Sequence, residues 1–318
     1  MNDDKTKIPK SFAETVQLVE QFAIEEITKA TNQKKLYYHT VDHAYAVERR
    51  ALIIFQALEF NQANFKELKN YDRIKSLIQL SAITHDLVQE YVPPDELYAP
   101  RRRPFGLSET TTINKLFAYL KNLNQKLVSQ KINSSVCFTG QDLKIIEEAI
   151  RATICRYEPK EGSIYQPLLY QSQPKISVVA RIIALADLGA LGMEGIEAYL
   201  RESVLIFLEE NPDLVPFLLS NVLEPSTQLI TQQKKEEIRR RLLKAARFLV
   251  HFAKGREARL HQEIQDFTAA SQLVLQKQIF PYLNLKTIQT LEQQTPTADN
   301  ATLAELLNYF QFPKYISC

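Results

Sequence analysis

The 318-residue chain has no tryptophan, two methionines, three cysteines and seven glycines, and each scarcity narrows what it can be. So few glycines supply few tight turns, which disfavours sheet-rich sandwiches and barrels. Cys137, Cys155 and Cys318 are far apart, odd in number and form no CxxC pair. That argues against a disulfide framework and for a reducing compartment. Charge of one sign is also lacking, with 39 basic residues against 37 acidic ones. No global field therefore draws the chain to nucleic acid or anionic lipid. The most apolar stretch, residues 176–193, is interrupted by Arg181 and Asp187, and the polar start MNDDKTKIPKSF has no apolar signal core. The expectation is a cytoplasmic protein with neither a membrane nor a nucleic-acid partner.

Leu, Ile, Ala, Glu, Gln and Lys dominate instead, and they favour helices. The sequence reads as all-α. Apolar periodicity predicts helices over 11–30, 41–59, 71–91, 142–157 and 175–192, with Ser108 as N-cap of another. The 71–91 helix is expected to stop at Pro93 and Pro94, and Thr139 with Asp142 forms a capping-box pattern. Loops are expected over 93–108, with four prolines and the run Arg101-Arg102-Arg103, and over 158–175. From about residue 196 the helices become charged on one face. The reading is a domain of residues 1–195 and a helical extension of 196–318 packed on it, offering a surface for homo-oligomerisation or another partner.

The stretch YYHTVDHAYAV, residues 37–47, places His39 and His43 four apart at the start of a helix, where both can point toward one place. SAITHDL puts His85 on an apolar stripe and follows it with Asp86, in what reads as the middle of a helix. Asp187 recurs with Val179, Ile183 and Leu191 on an otherwise apolar face. A carboxylate there needs a partner, either Arg181, Arg151 or a cation.

His43, then His85-Asp86, then Asp187, in the contexts HAYAV, SAITHDL and ALADLGAL, resembles the H…HD…D signature of the HD superfamily of metal-dependent phosphohydrolases. The resemblance covers residues 35–195. It implies an HD-domain helical bundle in which these four side chains hold one divalent metal ion and hydrolyse a phosphate ester, often of a nucleotide. Two imidazoles and two carboxylates suit Mn, Fe, Co, Ni, Zn or Mg without choosing among them. His39 lies in YHTVDH, similar to the YHNxxH stretch of cyclic-nucleotide phosphodiesterases, which implies a proton donor to the leaving oxygen, although Thr40 stands where the asparagine would. HDLVQEY is similar to the HDxxED of guanosine-tetraphosphate hydrolases and makes Glu90 a candidate base or supporting group, with Gln89 departing from the pattern. Arg103 and its neighbours, in a loop after the HD pair, and Arg151 are candidate phosphate binders. A solvated basic turn is the plainer account of the three arginines. His251 and His261, ten apart, read as surface residues. The functional expectation is a phosphohydrolase acting on a nucleotide or another small phosphorylated metabolite. Its alternative is a non-catalytic HD-fold sensor or scaffold working through its C-terminal helices.

Overall fold

The computed structural model describes residues 8–59, 70–92, 100–171, 175–219 and 231–315. Pro93, Pro94 and Cys318, and parts of both expected loops, lie outside them. Helices carry the fold: α1 (Phe12–Lys34), α2 (Val41–Glu59), α3 (Tyr71–Thr84), α4 (Leu107–Ser129), α5 (Gly140–Ala152), α6 (Val178–Asp187), α7 (Ile196–Glu210), α8 (Val215–Leu219), α9 (Gln232–Glu263), α10 (Ala269–Val274), α11 (Leu285–Gln294), α12 (Leu303–Phe310) and α13 (Phe312–Tyr315). The expectation of an all-α protein holds. A two-stranded antiparallel hairpin, β1 (Arg156–Glu158) with β2 (Ser163–Tyr165), stands within the expected 158–175 loop.

Local chemistry sets the helix ends. Ser11 Oγ accepts the backbone N–H of Glu14 at the start of α1, and Lys35 closes the helix in the left-handed region (φ 52°) with its N–H on the Thr31 carbonyl. The Thr139–Asp142 capping box forms as expected. Two expectations fail nearby. Ser108 is not the N-cap of α4; Gly106 is, at φ 68°, where a side chain would be strained, and Ser108 Oγ accepts the N–H of Glu90 instead. The helix expected over 142–157 ends at Ala152, and Tyr157 is exposed on β1 because the chain has joined the hairpin.

The largest correction concerns α3, which stops at Thr84 rather than running to residue 91. Thr84 Oγ1 takes the Leu80 carbonyl at 2.7 Å, and His85 Nδ1 takes the Ala82 carbonyl at 2.7 Å. The His85 ring thus takes the carbonyl that a continuing helix would have given to the Asp86 N–H, whereas the helical donor to Leu80, the Thr84 N–H, is already inside α3. Asp86 therefore sits in a turn, not within a helix.

Two apolar clusters hold the chain together. The first buries Val19 and Ile27 of α1, Ile54, Phe55 and Leu58 of α2, Leu77 and Ile78 of α3, Ile146 and Ile150 of α5, and Val179, Ile182 and Ile183 of α6. Helices α2, α3 and α6 pack on one another, with α1 and α5 outside them. The second cluster joins α7 to the first two-thirds of α9, with α11, α12 and α13. Helix α9, 32 residues and roughly 48 Å long, reaches from this cluster into the first, where Leu260 and Ile264 are buried. It crosses β2 closely: a Cβ on Gly255 would lie 2.6 Å from Ser163 Oγ, so only glycine permits this approach.

Candidate metal centre

Three helix ends meet beside the first cluster. His43 sits in the first turn of α2, His85 and Asp86 follow the last residue of α3, and Asp187 is the last residue of α6. One ligand atom from each of the four lies within 4.8 Å of all the others. His85 and Asp86 are adjacent in sequence, and within a helix their side chains would diverge by about 100°. The backbone at His85 is still right-handed helical, yet the two side chains reach each other, with His85 Nε2 3.0 Å from Asp86 Oδ2.

His43 Nε2 lies 3.3 Å from Asp86 Oδ2 and 3.5 Å from Asp187 Oδ1, and His85 Nε2 lies 3.6 Å from Asp187 Oδ1. These are close approaches, yet His43 Nε2 and His85 Nε2 have no hydrogen-bond partner among the described residues, although both are buried. Neither nitrogen makes a well-aligned hydrogen bond to the oxygens beside it. Ligand bonds of about 2.1 Å to one ion place neighbouring ligand atoms about 3.0–3.4 Å apart. The four His–Asp separations are of that order and the other two lie within 4.8 Å, and an ion would satisfy nitrogens that otherwise each cost about 1–3 kcal/mol. The donor set fits a divalent cation.

The surroundings hold each ligand in place. By donating Nδ1–H to the Ala82 carbonyl, His85 leaves its Nε2 lone pair free for the site. Gln89 Nε2 donates to Asp86 Oδ1 at 2.8 Å, and Gln166 Nε2 donates to Asp187 Oδ2 at 3.2 Å. The His43 ring lies against Tyr38, with centroids 4.2 Å apart. Burial works against the charge on both carboxyls, but the imidazoles beside them outweigh it and hold Asp86 and Asp187 well below the usual carboxylate range. Conversely, burial favours neutral imidazoles, and the two carboxylates outweigh it, raising His43 and His85 above 6.5 in the metal-free protein.

No protein-family model matches the chain, and neither a curated protein nor a solved structure matches it. The site is therefore defined by its own geometry.

Of the other expected site residues, His39 comes nearest, its Nε2 3.8 Å from Asp86 Oδ2. Arg103 arrives from the loop before α4 and donates from Nη1 to His39 Nε2 at 2.8 Å and to Gln89 Oε1 at 3.2 Å. That loop is pinned. The N–H of Arg101 donates to the Glu210 carbonyl at 2.7 Å, and the Arg101 guanidinium to the Lys34 carbonyl at 2.8 Å. Glu90 points elsewhere, 3.7 Å from Lys34 Nζ with about a third of its side chain exposed. Arg151, expected to meet Asp187 or a phosphate, pairs with Glu147 at 2.9 Å on a half-exposed part of α5. Arg181, the other expected partner of Asp187, pairs with Asp266. His251 and His261 are exposed, as expected.

Three further polar residues belong to the site without a clear signal in the sequence. Gln89 stands out there only as a departure from a motif, yet it connects Asp86 to Arg103. Gln166 lies in a segment whose composition is that of a loop. Glu209, on α7, is 1% exposed and meets His39 across 170 residues of sequence, so no local pattern signals it.

Proposed function

We propose that the chain is a metal-dependent phosphohydrolase of the HD type, acting on a phosphate ester of a nucleotide or another small phosphorylated metabolite. The observation that carries this reading is the convergence of His43, His85, Asp86 and Asp187 on one point, with two buried imidazole nitrogens directed there unpaired. A divalent ion in such a site supplies a lowered pKa for water and neutralises phosphoryl charge.

The remaining residues divide the other tasks. Asp86 and Asp187 are kept as carboxylates, and Gln89 and Gln166 fix their orientation. The Arg103 guanidinium is placed to take phosphoryl oxygens, for which its planar fork is suited. His39 Nε2 stands on the same side, placed to give a proton to the departing ester oxygen as the P–O bond breaks. Water provides the hydroxyl that phosphorus gains; the proton it loses passes to solvent, from which His39 Nε2 takes the one it gives to the alkoxide.

The decisive experiment is elemental analysis of the purified protein, then a phosphatase and phosphodiesterase screen across divalent metals with wild type and Asp86→Ala. Metal-dependent phosphate release by wild type alone supports the proposal. Equal release by both proteins, or none with any metal, overturns it. Stoichiometric metal without turnover would return the non-catalytic sensor reading.

A further inference from the structure

We infer that Glu209, contributed by α7, is the positioning residue that fixes His39 in the tautomer its role requires. One carboxylate oxygen, Oε2, accepts the backbone N–H groups of three successive residues, Tyr37 at 3.0 Å, Tyr38 at 2.9 Å and His39 at 3.0 Å. The other, Oε1, bonds His39 Nδ1 and accepts the Tyr91 hydroxyl. Every lone-pair direction of this buried carboxylate is thus used, most of them on the segment that carries His39. An amide nest of this kind stabilises a carboxylate in place and needs no lysine or arginine to do so.

Donor chemistry assigns the His39 proton. A guanidinium has no acceptor, so Arg103 Nη1, 2.8 Å from His39 Nε2, must donate to a lone pair there. The ring proton is then on Nδ1, pointing at Glu209, and Nε2 is the nitrogen open to gain and give a proton. Uncovered, Nε2 takes a proton from solvent to form the imidazolium, which Glu209 stabilises through the bonded Nδ1–H, and Nε2 then gives that proton to the ester oxygen. When Arg103 turns to a phosphoryl oxygen, Nε2 is uncovered on the side facing Asp86, 3.8 Å away. The residues after 195 therefore complete the site. The catalytic consequence rests on the phosphohydrolase reading, whereas the tautomer does not.

The test uses full-length protein labelled with ¹⁵N-histidine and loaded with Zn²⁺ or Mg²⁺. Long-range ¹H–¹⁵N spectra are recorded, with His39→Asn to assign the ring. Wild type is expected to show a protonated, downfield-shifted Nδ1 on His39. In Glu209→Gln the side-chain amide can still accept the backbone N–H groups but presents a donor to Nδ1, so His39 is expected to switch to the Nε2–H form at unchanged metal content. In parallel, kcat toward alkyl phosphate esters falls about 10²-fold while nitrophenyl esters, whose leaving group needs no proton, are little affected. Tyr91→Phe should preserve the tautomer. A wild-type ring with its lone pair on Nδ1, or an unchanged tautomer in Glu209→Gln, overturns the inference. Should Glu209→Gln fail to fold, the wild-type spectrum still decides whether the carboxylate-bonded Nδ1 proton exists. Absence of turnover in wild type would sink the hydrolase reading and leave the spectroscopic test of Glu209 intact.

Discussion

His85 donates its Nδ1–H to the carbonyl oxygen of Ala82, three residues earlier, at 2.7 Å. This bond takes a carbonyl that the next helical turn would have used and leaves the Nε2 lone pair for the site. His85→Ala is expected to lower metal affinity by more than about tenfold and to weaken the stop of α3. Equilibrium dialysis with a divalent ion measures the first effect. Metal retained at wild-type affinity would remove His85 from the ligand set.

Gln89 connects Asp86 to Arg103 through the two ends of its amide. Glu at this position would add a charge beside Asp86 and oppose its oxygen rather than donate to it. Leu would remove both bonds. Gln89→Leu is expected to cost about 10–100-fold in metal affinity, with the fold intact by circular dichroism. Unaltered binding would show that Asp86 needs no orienting partner.

The four site groups make stability depend on pH in a way that metal should abolish. His43 and His85 titrate above their ordinary 6.5 in the metal-free fold, so they stabilise it fully below 6.5, and that contribution is lost as pH rises through the raised values. Asp86 and Asp187 titrate below their ordinary 3.8, so their contribution is present above 3.8 and is lost only on further acidification. Metal-free protein should therefore melt highest between about pH 4 and 6.5 and progressively lower as pH rises above that window. A saturating divalent ion takes the nitrogen lone pairs that protons held, so it should raise Tm most at the alkaline end. Scanning calorimetry with chelator and with metal makes the comparison, and a metal effect independent of pH would contradict the assignment.

Glu20, on α1, is pushed up to about 7, first by burial and then by the charge of Glu48 on α2. A carboxyl raised in the folded state stabilises the fold at low pH, and that contribution is lost as pH climbs from 4.5 through 7. Glu20→Gln should then stabilise by about 1–2 kcal/mol at pH 8 and hardly at all at pH 5, as read from urea midpoints. Equal effects at the two values would place Glu20 in an ordinary solvated setting.

Arg256 and Glu263, both fully buried, pair at 2.5 Å near the end of α9, where Tyr170 also donates to Glu263 at 2.8 Å. Removing one partner leaves the other charged and buried. Glu263→Ala is expected to cost about 3–5 kcal/mol in urea unfolding, more than the isolated loss of a surface pair. A loss under about 1 kcal/mol would mean that water reaches Arg256 freely.

The helical class and the four clustered residues were legible because each left a local mark. Apolar residues recur at helical spacing through α2, α3 and α6, and His43 and Asp187 interrupt two of those stripes with polar groups while His85 and Asp86 stand directly after the third. The stop after Thr84 was not legible, because it goes with a hydrogen bond from the His85 ring to a carbonyl that the next helical turn would have used. Gln166 and Glu209 left no mark, since buried amides and carboxylates look like any others until their partners are known.

By itself, the sequence determined which residue types were available and which helix faces would be buried, since periodicity is a property of consecutive residues. Tertiary structure alone decided which atoms meet. Glu209 reaches His39 because α7 lies against the segment joining α1 to α2, and Arg151, expected to meet Asp187 or a phosphate, instead pairs with Glu147 one turn away on a half-exposed part of α5. Burial and directionality act across the folded chain, where separation in sequence has no bearing on distance.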